Sequence, residues 1–319
     1  MTIHVLGAGV AGLTTALRLV EAGGDVVVHE KGADLGASAS WLAGGMLAPY
    51  CEASVADRSV IAPGLEGMAF WKGVTDVQTN GTLVVASGRD AADLNQFAAR
   101  TQAHRWLDAE GLSALEPDLG GRFARALFFE GEAHLDPRRA LGDLLRRIEA
   151  AGGRVCFRSA VDPSDLAGER VADCRGLAAS MPRLRSVRGE MAVVRCPDVQ
   201  LKRPIRLLHP RWPIYVVPRD DHVFMIGATM VESEAAGGIT LRSAVELLTA
   251  AFALHPAFAE AEVLEVGSGR RPALSDNLPR VDRTEQGVAF SGLYRHGFLL
   301  SPAFSKIAAD MLVGAKEPA

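Results

Sequence analysis

The chain opens on a strand, a glycine turn and a helix in a fixed order, and that order constrains the fold more than any other feature. Residues 2–6, TIHVL, are short and mostly apolar, the pattern of a buried parallel strand. Gly7, Gly9 and Gly12 follow as G-x-G-x-x-G. The first glycine permits the tight turn, the second lets a pyrophosphate approach the backbone, and the third lets helix and strand pack closely. Leu13, Leu17 and Val20 then recur at helical spacing, Gly23 and Gly24 stop the helix, and residues 25–29, DVVVH, form a second strand ending in Glu30. The spacing predicts a βαβ unit for the ADP half of a dinucleotide, with the Glu30 carboxylate holding both ribose hydroxyls and repelling a 2′-phosphate. It does not separate NAD from FAD, because both carry that half.

Two later stretches favour FAD. Residues 36–49, GASASWLAGGMLAP, are small, glycine-rich and poor in charge, which suits close approach of an extended cofactor and an apolar bed for its ring. Near the other end, VAFSGLYRHGFLLSPAFSKIAADMLVG reads as a strand over 288–291 followed by a helix with Ser301 as N-cap, Pro302 at its first position and Gly314 closing it. The positive end of such a helix would stabilise an anionic reduced flavin.

Between these ends the patterns are of two kinds. Residues 135–153, LDPRRALGDLLRRIEAAGG, read as a helix capped by Asp136, with Pro137 at its first position and an apolar stripe of Leu141, Leu144, Leu145 and Ile148, and it leads into the strands RVCF and VADCRG. VQTNGTLVVAS carries an Asn80-Gly81 turn that predicts a hairpin, and PIYVVPRDDHVFMIGATM predicts another turning near Asp220 and Asp221. The expected architecture is an α/β FAD-binding Rossmann-like domain interleaved with an α+β substrate domain built on an antiparallel sheet. Residues 1–70, 135–185 and 267–319 are assigned to the first, and residues 71–134 and 186–266 to the second.

Composition excludes several partners. A formal net charge of −4 gives no general attraction to nucleic acid or to an anionic membrane. Arg183, Arg185 and Arg188 are read as solvated loop or edge residues. Cys51, Cys156, Cys174 and Cys196 form no C-x-x-C pair, so no metal site is expected, and scattered thiols suit a reducing cytoplasm. The absence of a basic leader and of an apolar run of membrane-spanning length points the same way.

The segments GAGVAGL…HEKG, AGGMLAP, LDPRRAL, VPRDDHVFMIGATM, GSGRRPALSDNLP and GLYRHGFLLSPA, in that order over nearly the whole chain, resemble FAD-dependent amine oxidases of the D-amino acid oxidase type, and among them the glycine oxidases of thiamine biosynthesis. The resemblance implies that Val10 and Ala11 join the glycines at the phosphate turn, and that Glu30 and Lys31 meet the ribose end. It implies Ala39 and Ser40 at the pyrophosphate, Gly44, Gly45 and Met46 beside the isoalloxazine, and Val161 near adenine. Leu293, Tyr294, Arg295, His296, Gly297, Phe298 and Leu299 match the loop around the flavin. Some relatives attach flavin through a cysteine near the substrate arginine; here Arg271 is followed by Pro272, so FAD is expected to be noncovalent. Trp41 and Leu42 stand where small residues are usual.

The same resemblance selects Arg271 over Arg270 as the anchor for an amino acid carboxylate, through two parallel hydrogen bonds. Tyr215 matches a tyrosine bonding that carboxylate, Met230 an apolar wall, and Arg295 an arginine near the substrate amine. His296 is adjacent, but hydride transfer needs no base beyond a neutral amine and good alignment. The expected reaction is oxidative deamination of glycine or a small amino acid such as sarcosine or a small D-amino acid. Oxygen is the expected acceptor, with a thiazole synthase as partner for the imine and assembly as a homo-oligomer. The alternatives are a dehydrogenase using another electron carrier, an RNA-modifying oxidase and a non-catalytic nucleotide-binding protein.

Overall fold

The computed structural model describes residues 2–314; residue 1 and residues 315–319, which end the segments assigned above to the FAD-binding domain, lie outside the described residues. The opening strand, Ile3–Leu6, sits inside a six-stranded sheet in the order Arg280–Thr284, Gly287–Ser291, Arg170–Asp173, Ile3–Leu6, Val26–His29 and Arg154–Cys156. Its neighbours on both sides run parallel to it, as apolar residues on both faces of a strand require. Only the Arg280–Thr284 strand is antiparallel, paired with Gly287–Ser291. The helix Val10–Glu21 packs against both Pro137–Ala150 and Gly297–Val313, and Leu13, Leu17, Leu141, Leu144, Ile148 and Leu312 share one core. Each such leucine contributes about 2 kcal/mol by leaving water. Leu145, at the margin of its stripe, is half-buried. The Asp136 carboxylate accepts from Arg138 N at 2.8 Å and, more weakly, from Arg139 N, and Pro137 opens the helix.

The chain leaves this sheet to build a second, nine-stranded one, first over residues 82–129 and again over 185–273. Ile214–Pro218 and Val223–Gly227 form the hairpin that the DD turn predicts. Asn80-Gly81 does not make a hairpin. Gly81 takes a left-handed turn (φ +76), but Thr82–Ala86 is an inner strand whose two edges are taken by Arg125–Phe129 and Ile205–Leu208. The second of these pairs is parallel, so the sheet is mixed and not wholly antiparallel as expected. The helix Leu241–Leu254 covers it, with Leu247 and Leu254 packed beside Phe224 and Ile226.

Two further expectations are corrected. Arg185 and Arg188 lie on the inner strand Arg185–Arg195, where Arg188 is buried against Glu190 at 2.6 Å and Arg185 pairs with Glu232; only Arg183 is a solvated loop residue. The last helix begins at Gly297 with His296 as N-cap, so Ser301 and Pro302 stand inside it. Proline has no N–H for the carbonyl four residues back. That carbonyl, Phe298 O, is taken instead by Trp71 Nε1 at 2.6 Å. A side-chain donor replaces the missing helical bond, and the helix starts a turn earlier than its cap-like residues suggest. The cysteines are free thiols. No helix among the described residues is long and apolar enough to cross a membrane.

Candidate active site

One cavity of about 1300 Å³ runs between the two sheets, larger than the roughly 300–1,000 Å³ of a pocket for a single small ligand. All cofactor and substrate positions expected above line it except Gly12. Gly12 acts one layer behind, because a Cβ there would collide with Gly7 O. Gly7 itself has φ +95, and a Cβ would stand 2.7 Å from Cys174 O. The helix Val10–Glu21 has no side-chain cap and no acidic residue in its first turn, leaving its positive end for an anion. Ser40 closes on this turn by accepting from Val10 N at 3.0 Å. The buried Glu30 carboxylate accepts from Ala8 N at 2.8 Å and from Gly32 N at 2.7 Å. Each oxygen keeps lone-pair capacity for a ribose hydroxyl. Turn, helix end and carboxylate together fit the ADP half of a dinucleotide.

The glycine loop continues the wall. Gly45 is left-handed (φ +75) and lies against Leu135 O, while Arg219 Nη2 donates to Gly44 O at 2.7 Å. Of the two bulky residues here, Trp41 stacks under Arg138 (5.0 Å to the ring centroid), which in turn pairs with Glu265 at 2.8 Å. Leu42 faces the cavity and packs over Gly267 and Gly269.

Tyr215 and Arg271 come from the larger sheet. Tyr215 pairs with Gly227 across the hairpin, and its ring is held between two glycines: a Cβ on Gly44 would lie 2.6 Å from it and one on Gly227 2.7 Å. Arg271 lies on Glu262–Ala273, with its guanidinium over Gly189 and one N–H donated to Thr229 O at 3.0 Å. Burial lowers its pKa, partly offset by the nearby Tyr215 hydroxyl. Among the described residues it has no carboxylate partner. Met230 is half-exposed, and its sulfur accepts from Tyr294 Oη at 3.3 Å and from Arg295 Nη1 at 3.4 Å.

Sequence reasoning missed Glu52. Its buried carboxylate lines the cavity and meets Arg206, Arg295 (Nε to Oε2, 2.8 Å) and His296 (Nδ1 to Oε2, 3.2 Å). Burial raises its pKa, but Arg295 and Arg206 outweigh burial and hold it well below the usual carboxylate range. Arg295 is therefore committed to a carboxylate of the protein. Arg206 was legible as a charge inside the apolar strand PIRLLH, and Gly189 and Gly227 as glycines within strands, where a close approach is the usual reason. Nothing local marks Glu52, whose partners are 154 and 243 residues away.

Comparison with known proteins agrees with this geometry. The family model described as FAD dependent oxidoreductase, DAO, matches residues 2–311. The chain is 51% identical over 323 residues to a Rhizobium etli protein provisionally assigned as the thiamine biosynthesis oxidoreductase ThiO, covering 100% of this chain and 98% of that one. It is 23% identical over 356 residues to a Nostoc protein named bifunctional protein ThiO/ThiG, covering 98% of this chain and 53% of the relative. The crystal structure of glycine oxidase from Geobacillus kaustophilus superposes with a TM-score of 0.83 at 25% identity, over 99% of this chain and 95% of that one. A family match of this extent, on a cavity built to hold a dinucleotide, shows that the chain belongs to the DAO family of FAD-dependent oxidoreductases.

Proposed function

We propose that this enzyme oxidises glycine or another small amino acid, sarcosine and small D-amino acids included, as a step of thiamine biosynthesis. The observation that carries the reading is the Arg271 guanidinium, half-buried beside Tyr215 in the cavity that also holds the nucleotide turn, without a carboxylate of its own among the described residues. Arg271 takes the substrate carboxylate through two parallel N–H bonds, and the Tyr215 hydroxyl donates a third. This fixes the α-carbon, which is what positions a hydride for transfer. Bound FAD supplies the two-electron acceptor for that hydride. The nitrogen loses a proton as the imine forms. Water then converts the imine to an oxo acid and ammonia, or methylamine where the substrate is sarcosine, while oxygen takes up two electrons and two protons as hydrogen peroxide.

On this reading residues 1–70, 135–185 and 267–319 form the FAD-binding part and residues 71–134 and 186–266 the substrate part, except that residues 267–273, Arg271 among them, finish a strand of the larger sheet, with FAD held noncovalently. The 51% identity to the ThiO assignment supports the pathway, and the bifunctional ThiO/ThiG relative supports passage of the imine to a thiazole synthase. The test is an anaerobic titration of the purified yellow protein with glycine. Bleaching of the flavin band supports the reading. A band that persists with glycine, sarcosine and D-alanine alike overturns it, and oxygen uptake with peroxide release separates an oxidase from a dehydrogenase.

A further inference from the structure

Glu52 closes a short helix, Pro49–Glu52, directly after the glycine loop, and its side chain is 8% exposed. It gathers cations from two distant parts of the chain. Arg206 comes from the strand Ile205–Leu208 and is the cross-strand partner of Tyr215, so both side chains point to the same face of the sheet. Arg295 and His296 come from the loop before the last helix. Arg206, Arg295, Arg271 and Glu52 all line the cavity that holds Tyr215. Of these arginines, Arg206 and Arg295 are paired with Glu52, while Arg271 among the described residues donates only to Thr229 O.

Of these three guanidinium groups beside Glu52 and Tyr215, Arg271 is therefore the one without a carboxylate partner among the described residues. We infer that Glu52 is a specificity-determining residue: by occupying Arg206 and Arg295 it limits the pocket to substrates with a single carboxylate. An amino acid with a second anionic group would have to displace a buried carboxylate from its partners. With Glu52 neutral, those arginines would bind that group. A carboxylate serving stability alone would, when replaced, lower the melting temperature without changing which anions bind.

The inference rests on the amino acid reading of the cavity, and its test separates the two. Acetate and malonate, as mono- and dianionic probes, are titrated calorimetrically into the FAD-loaded protein, and kcat/KM is compared for glycine and iminodiacetate. In Glu52→Gln the malonate-to-acetate affinity ratio is expected to rise about tenfold or more, the weight of one unit charge at close range in a partly buried site. The iminodiacetate-to-glycine ratio should rise with it. Glu52→Asp, which keeps the charge, should stay within about threefold of the unaltered protein. If Glu52→Gln does not fold, Arg295→Gln is read instead: one cation fewer beside an intact Glu52 should move the ratio the opposite way. An unchanged ratio in the folded variant overturns the role of Glu52 and leaves the amino acid reading standing. Failure of the unaltered protein to bind either anion overturns both.

Discussion

The Arg271 guanidinium occupies the space into which a side chain at Gly189 would grow, so the absence of a Cβ on one strand sets the position of a cation on its neighbour. The obstructed atoms are the far end of a flexible side chain, so Gly189→Ala should displace the guanidinium and leave the backbone where it is. The expected result is a fall in kcat/KM for the amino acid of about 10- to 100-fold, the worth of a charged hydrogen bond of about 1.5–3 kcal/mol. FAD content should be unchanged and the melting temperature nearly so. Steady-state kinetics beside a thermal melt check this, and a variant with full kcat/KM would dissociate Arg271 from substrate binding.

Tyr215 has less room than Arg271. With Gly44 on one side and Gly227 on the other, its ring cannot retreat from an added methyl group. Tyr215→Phe removes only the hydroxyl and should lower kcat/KM by roughly tenfold, with stability nearly intact. Gly227→Ala should cost more on both counts, about 1–3 kcal/mol of stability from overpacking and a larger loss of activity from a displaced ring. The reverse order of severity would show that the ring is not confined.

What could be read from the sequence follows how local each signal is. The turn at Gly7, the carboxylate at Glu30 and the cap at Asp136 are written within a few residues, and each stands where its spacing predicts. Asn80-Gly81 has the residues of a hairpin turn, but Thr82–Ala86 takes its partners from strands that begin at Arg125 and Ile205. A turn motif reports backbone preference and not which strand is free to pair. Ser301-Pro302 failed for a similar reason, since tertiary packing with Trp71 supplies what the proline lacks. Glu52 shows the limit: its role depends on Arg206 and Arg295, which only the folded chain brings to it.

That Trp71 bond makes a prediction of its own. Trp71→Phe leaves Phe298 O buried without a donor and should cost about 1–3 kcal/mol beyond the lost packing. Pro302→Ala supplies an amide four residues after Phe298, so Trp71→Phe should cost less in that background. A double-mutant cycle by urea unfolding measures the coupling. Zero coupling energy would mean that the indole nitrogen is not substituting for the helical bond.

Glu132 and His134 flank one residue and pull the pH profile in opposite directions. Burial pushes the Glu132 carboxyl up from 4.5 to about 7, against the Cys51 amide and Arg206, which favour the charged form. Its folded pKa is raised, so its stabilising contribution is complete below about pH 4.5 and disappears as pH rises to about 7, a change of about 3 kcal/mol. Burial, with Arg219 and Arg203, pushes the His134 imidazole down from 6.5 to about 3. Its folded pKa is depressed, so its contribution is complete above pH 6.5 and is lost as pH falls towards 3. Each slope is about 1.4 kcal/mol per pH unit, so between about pH 4.5 and 6.5 they cancel. Glu132→Gln should expose the histidine slope, giving a protein that loses stability steadily as pH falls through that window. His134→Asn should expose the other, with stability rising as pH falls. Urea midpoints for the three proteins at half-unit steps check this, and a Glu132→Gln profile parallel to that of the unaltered chain would show that this carboxyl titrates alike in the folded and unfolded states.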